Sequence, residues 1–278
     1  MEFLDLLKVL ILGVVEGITE WLPISSTGHM ILFESWLGVE KTMRPEFMEM
    51  FRVVIQLGAI MAVVVLFWKK IFPFKFEKKP SFQVLVSTKT MILWSKILIA
   101  CIPAGVIGIL FDDKLDEIFY GKLPVAVTLI LYGILFIVIE NYTKDKKPTI
   151  TKLSQLDYRT AVIIGAFQLL ALIPGTSRSG ATIIGALLIG VSRVVISEFT
   201  FFLAIPIMFG ASLLKVVKFG ADFQSGELAL LVIGMGVAFI VSVFAIKFLM
   251  GYIKKHDFKV FGWYRIVLGM IVLITFFI

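Results

Sequence analysis

Long apolar runs, separated by short polar and charged stretches, organise this chain from end to end. Runs of about 20 apolar residues are long enough to cross a bilayer as a helix. Six such spans are predicted: Met48–Trp68, Met91–Phe111, Leu123–Tyr142, Glu198–Val217, Leu228–Met250 and Gly262–Ile278. Two further apolar stretches are interrupted. Residues 3–22 read as a helix stopped at Pro23, followed by a short apolar piece, Gly28–Gly38. Thr160–Pro174 and Ser179–Val191 form a second broken pair. Non-helical backbone at membrane depth is tolerated only where protein or water covers it, so each pair reads as a re-entrant hairpin. The predicted fold is an all-α polytopic membrane protein with six transmembrane helices plus two re-entrant helix hairpins.

Composition agrees. The 278 residues are 59% hydrophobic and only 17% charged, where a soluble domain has about 25% charged. The net charge of +7 sits in loops, not in a nucleic-acid footprint, so no nucleic-acid partner is expected. Lys69 to Thr90, Thr143 to Arg159 and Gly251 to Phe261 are the basic loops, and Asp112 to Lys122 is acidic. The positive-inside rule places the three basic loops in the cytoplasm; Lys215 and Lys218 weakly oppose this. The first hairpin then enters from outside and the second from inside. The N-terminal run has no cleavage site and is expected to remain in the protein. Cys101 reads as a small buried apolar residue.

Internal similarity supports the opposed hairpins. With the chain shifted by 152 residues, residues 11–65 match 163–217 at 14 positions. These include Gly13/Gly165, Ser25/Ser177, Gly28/Gly180 and Gly38/Gly190. Each copy holds a hairpin and three spans; three is odd, so the second copy is inverted. The chain therefore reads as one integral membrane domain, 1–278, in an inverted-topology internal repeat, with repeat 1 about 1–150 and repeat 2 about 153–278. Inverted repeats with broken helices put a binding site near the midplane.

The breaks carry the chemistry. Residues 16–30 hold Glu16, Glu20, four hydroxyls and His29 inside apolar sequence. Buried polar groups cost several kcal/mol unless satisfied or used. The second break, residues 173–182, reads I-P-G-T-S-R-S-G-A-T. There Ser177 and Ser179 can cap a helix whose N-terminal amides favour an anion, and Arg178 adds a planar fork suited to phosphate. One break brings carboxylates, hydroxyls and an imidazole; the other brings a cation and an anion cradle. Together they suit phosphoryl chemistry at a membrane.

Two stretches resemble the signature motifs of the bacterial undecaprenyl-diphosphate phosphatases of the bacitracin-resistance type: E-G-I-T-E-W-L-P-I-S-S-T-G-H (Glu16 to His29) and P-G-T-S-R-S-G-A-T (Pro174 to Thr182). Met50 to Gly58 and Ser197 to Pro206 are also similar to that family. The resemblance implies an integral membrane hydrolase that removes the terminal phosphate of undecaprenyl diphosphate, recycling the carrier lipid of peptidoglycan synthesis. It also implies a plasma-membrane location, a site open toward the outer face, a divalent cation (Mg2+ or Ca2+) and a homodimer.

Within that reading Ser26 is the expected nucleophile, with His29 as the alternative, and Glu20 as the group that orients or deprotonates one of them. Glu16 and Glu20 are expected to hold the metal. Arg178 would stabilise transition-state charge. Ser25, Thr27, Gln56, Ser177, Ser179 and Thr182 are expected around the substrate. The bland alternatives are helix caps for Ser26 and Ser177, a core imidazole for His29, an inter-helix bond for Gln56, and an Arg178–glutamate salt bridge without ligand. A lipid-phosphate transporter or a non-catalytic binding scaffold would share much of this pattern.

Overall fold

The computed structural model describes residues 3–77, 83–119, 121–220 and 222–277. Among them the regular structure is helical, apart from one two-stranded hairpin and a single parallel bridge between Ile150 and Val191. The helices are α1 (Phe3–Thr19), α2 (Ser26–Leu37), α3 (Pro45–Leu66), α4 (Trp68–Ile71), α5 (Thr88–Phe119), α6 (Lys122–Thr143), α7 (Tyr158–Gln168), α8 (Arg178–Leu188), α9 (Arg193–Phe219), α10 (Glu227–Tyr252) and α11 (Lys259–Phe277). Among the described residues five stretches are long and apolar enough to cross a membrane: Pro45–Leu66, Thr88–Phe111, Leu123–Thr143, Arg193–Phe219 and Glu227–Tyr252. The protein is thus a multi-pass membrane protein. The expected sixth span corresponds to α11, which carries Lys259 and Arg265; it is not among those five, and Ile278 lies outside the described residues.

Both interruptions fall where proline chemistry requires. Pro23 has no N–H to give the carbonyl four residues back, Thr19, and its ring crowds that carbonyl. Helix α1 accordingly ends at Thr19, three residues before the expected boundary, and Glu20 lies in the turn. Ahead of Pro174, α7 stops at Gln168 and tightens into a 3₁₀ turn over Leu169–Leu172.

Two local expectations need correction. The basic Lys69–Thr90 loop contains an antiparallel pair, β1 (Phe74–Glu77) and β2 (Gln83–Val86), with Phe74 opposite Val86. Phe74 and Phe76 alternate with Lys75 and Glu77 in β1, and Val84 and Val86 bring β-branched side chains to β2, both of which suit a pleated strand. The acidic stretch expected as a loop from Asp112 continues α5 to Phe119, because neither glycine nor proline interrupts it before Gly121.

Close approach of backbones sets the packing. α1 lies on α10, and α7 lies on α5. A Cβ at Gly13 would come within 2.9 Å of Val237 Cβ, and one at Gly165 within 2.4 Å of the Ala100 carbonyl oxygen. Small residues at such crossings let helices meet without side chains between them. α3 packs on α9, α6 on α11, and α8 nests among α6, α7 and α9. The largest apolar core gathers Trp21, Phe136, Phe199, Phe201 and Phe202 around the turn at Pro23; a second gathers Val9, Phe47 and Phe51.

Candidate active site

The two breaks use the same backbone device. Ser25 has φ 71° and Ser177 has φ 70°, both in the left-handed region that non-glycine residues rarely adopt. Each is the N-cap of the following helix. Ser25 Oγ accepts from the Gly28 amide at 3.4 Å, and Ser177 Oγ accepts from the Gly180 amide at 3.3 Å. Strained residues of this kind concentrate at functional sites, held by the structure around them. Gly175, also at positive φ (88°), tightens the second turn; a Cβ there would lie 2.2 Å from Thr128 Oγ1.

Capping by Ser25 frees its neighbour. Ser26 Oγ donates to Glu20 Oε2 at 2.8 Å. The other oxygen of the same carboxylate, Glu20 Oε1, accepts from Arg178 Nη2 at 3.3 Å. One carboxylate therefore joins the hydroxyl of the first turn to the guanidinium of the second. Arg178 Nη1 is anchored on the Thr200 carbonyl, and its Nε has no protein partner among the described residues. Glu20 is 7% exposed and the Arg178 side chain 10%. Ion pairs so poorly hydrated hold their geometry, and leaving one partner alone costs several kcal/mol.

His29 is buried one turn further along α2. Its Nδ1 lies 2.7 Å from the Ser25 carbonyl oxygen and its Nε2 lies 2.8 Å from Tyr264 Oη. A carbonyl only accepts, so Nδ1 carries a proton, and in the neutral ring Nε2 accepts from the tyrosine. The ring also stacks on Tyr264 at 5.6 Å between centroids. The imidazole thus turns to α11, and Ser26 is served by Glu20.

Arg265, fully buried on α11, ties the two turns together. Its Nη1 donates to the Pro23 carbonyl at 3.3 Å, and its Nη2 donates to the Gly175 and Thr176 carbonyls, each at 2.8 Å. Neither Tyr264 nor Arg265 was singled out from sequence. The signal was there: a guanidinium inside an apolar run is costly and marks function by default.

The remaining expected residues divide. Ser179 is buried and shares a hydrogen bond with Ser177 at 3.1 Å. Thr182 is fully buried; its hydroxyl bonds the Arg178 and Ser179 carbonyls and Thr200 Oγ1, so it braces α8 against α9 and is not presented to a ligand. Thr27 is half-buried in the first turn of α2. Gln56 is half-buried on α3 and joins none of these bonds among the described residues. The helix cap weighed as the bland alternative for Ser26 falls instead on Ser25.

Glu16 is 1% exposed, and its Oε1 has no hydrogen-bond partner among the described residues. A buried carboxylate oxygen left open is a suitable ligand for a hard cation. No group of three or more His, Cys, Asp or Glu residues with metal-site geometry occurs among the described residues. Glu16 and Glu20 do not make a closed cage, but they fit an ion of the magnesium type, which commonly takes one or two carboxylates and completes its shell with water and substrate phosphate.

A serine, a carboxylate and a guanidinium, brought together from two turns of a helical membrane protein, make a candidate site suited to phosphoryl chemistry. Residues 9–271 match the family described as bacitracin resistance protein BacA, and the chain belongs to that family. It is 62% identical to an undecaprenyl-diphosphatase of Enterococcus faecalis, over 99% of this chain and 98% of that protein. It is 61% identical to one of Acetivibrio thermocellus, over 98% of each chain. A third, from Clostridioides difficile, is 53% identical over 100% of this chain and 98% of its own length.

Proposed function

We propose that this chain hydrolyses undecaprenyl diphosphate to undecaprenyl phosphate and inorganic phosphate. The observation that carries the reading is the Ser26–Glu20–Arg178 chain of contacts, 2.8 and 3.3 Å, across the two breaks. Ser26 Oγ attacks the terminal phosphorus while Glu20 takes its proton. The bridging P–O bond breaks and the lipid monophosphate leaves. Water then opens the phosphoserine, giving phosphate and restoring the hydroxyl. Arg178, with the Ser177 and Ser179 turn behind it, steadies charge on the transferring oxygens. Ser25 and Thr27 shape the turn beneath the phosphate, and Gln56 lines the approach from α3. His29 Nε2, held by Tyr264, borders the leaving group. Glu16 and Glu20 would hold a Mg2+ or Ca2+ ion, which when bound would draw charge off the phosphate oxygens.

The same reading covers the finer architecture. α1–α2 and α7–α8 are two re-entrant hairpins, and α3, α5, α6, α9, α10 and α11 are six spans, in an inverted repeat of about 1–150 and 153–278. The exchanged packing supports it, since α1 lies on α10 where α7 lies on α5. Its bacterial family supports a place in the bacterial plasma membrane, the charge of its loops supports a site open to the outer face, and the family resemblance implies a homodimer. A transporter needs no serine bonded to a carboxylate, so that pair favours hydrolysis. Purified protein with Mg2+ and undecaprenyl diphosphate releases phosphate on this account. Full turnover by Ser26→Ala and Arg178→Ala would remove the reading, and headgroup movement across liposomes without phosphate release would favour transport.

A further inference from the structure

A cavity of about 440 Å³ lies among α1, α2 and α11. Val14, Val15 and Ile18 of α1, Phe33 of α2 and Tyr264 of α11 form much of its wall, and His29 borders it. Its position follows from the faces of α1. Gly13 and Gly17 are pressed against α10, leaving the side with Val14 and Ile18 uncovered, 41% and 40% exposed. The wall is apolar apart from Thr19, His29 and Tyr264, and the Thr19 hydroxyl is already bonded to the Val15 carbonyl at 2.8 Å. The remaining polar edge is the His29–Tyr264 pair, and His29 stands one turn from Ser26 on α2. A second cavity, about 430 Å³ and walled by residues 143–149 and 187–193, contains none of the site residues.

We infer that the α1–α2–α11 groove takes the first isoprene units of the substrate chain and enters the bilayer past Val14 and Ile18. This rests on the phosphatase reading and adds where the lipid lies. The occupant must be apolar along its length, polar at one end, and supplied from the membrane side. A prenyl chain ending in a diphosphate has that form, and the groove runs from lipid-exposed side chains to a residue of the site. The His29–Tyr264 pair then marks the junction of tail and headgroup. Pockets of this size commonly bind small ligands through an apolar wall and a few placed polar groups.

The test is selectivity between a long and a minimal substrate. Val14→Trp and Ile18→Trp fill the groove. Phosphate release is measured for undecaprenyl diphosphate and for dimethylallyl diphosphate, which has a single isoprene unit. The ratio of kcat/KM, long over short, is expected to fall about tenfold in each variant, chiefly through KM for the long substrate. Leu131→Trp, at an exposed position of α6 away from the groove, is expected to keep the wild-type ratio. An unchanged ratio in both groove variants, as for a groove filled only by bilayer lipid, would overturn the inference. So would an equal fall at Leu131. If the tryptophan variants fail to fold, wild-type protein is photolabelled with a prenyl diphosphate bearing a benzophenone near its headgroup. Adducts on α1, α2 or α11 are expected, and adducts confined to other helices overturn the proposal. Absence of phosphate release by wild type from either substrate would instead defeat the phosphatase reading, while the photolabel still reports the groove.

Discussion

The two turns at Pro23 and Pro174 share a backbone and differ in what they carry. Positions 152 apart pair Ser25 with Ser177 and Gly28 with Gly180, and both pairs make the same cap at nearly the same positive φ. At the other paired positions the chemistry diverges. Glu16 faces Gln168 in the pairing, Glu20 faces Leu172, Ser26 faces Arg178 and His29 faces Ala181. The first turn keeps the acids, the hydroxyl and the imidazole; the second keeps the cation. Two equal turns would give either carboxylates without a counter-charge or guanidinium without a nucleophile. Divergence on a fixed scaffold gives one of each, and the Glu20 carboxylate is the contact between them.

The largest effects should come from the diverged positions. Ser26→Ala and Arg178→Ala should each lower kcat for phosphate release by about 10³-fold or more, with the melting profile showing a folded protein. The double variant should be little worse than either single one, because the residues act on one phosphoryl group. Next comes Glu16→Gln, which removes charge at the open carboxylate. Its Mg2+ requirement in the same assay should rise about 10- to 100-fold, and chelation of divalent ions should silence the wild type.

Smaller losses should follow where α11 joins the turns. Arg265→Ala leaves three buried carbonyls without a donor and should cost about 3 kcal/mol in thermal unfolding. Tyr264→Phe removes one hydrogen bond from His29 and should lower kcat about tenfold without that loss of stability. Smallest of all are the caps. Ser25→Ala and Ser177→Ala should each cost about 1 kcal/mol, and the glycine variants less, since glycine takes positive φ freely. Equal cap effects at both turns alongside unequal catalytic effects would sharpen the comparison; unequal cap effects would break it.

Much of this was legible in the sequence because membrane depth makes polarity conspicuous. Glu16, Glu20, His29 and Arg178 stand out in apolar surroundings, and proline marks both turns. Which serine caps was not legible. Ser25 and Ser26 are adjacent, and only backbone geometry gives the cap to Ser25 and the Glu20 bond to Ser26. Thr182 reads as a ligand in the motif, yet its hydroxyl is spent on the Arg178 and Ser179 carbonyls and on Thr200. Arg265 stands out as a charge in an apolar run, but its partners and those of Tyr264 were hidden by distance: they lie more than 200 positions away and at the second turn, which no local pattern reports. The β1–β2 pair was obscured by the lysines in and around it, which drew the segment into a basic loop.

The central claim is that Ser26 of the first turn is phosphorylated by a substrate held by Arg178 of the second. Undecaprenyl diphosphate labelled in its terminal phosphate, quenched during turnover in acid and separately in alkali, tests it by peptide mass spectrometry. The account predicts an acid-stable label on Ser26 that is lost in Arg178→Ala. An acid-labile label on His29, or a Ser26 label undiminished by Arg178→Ala, would contradict it.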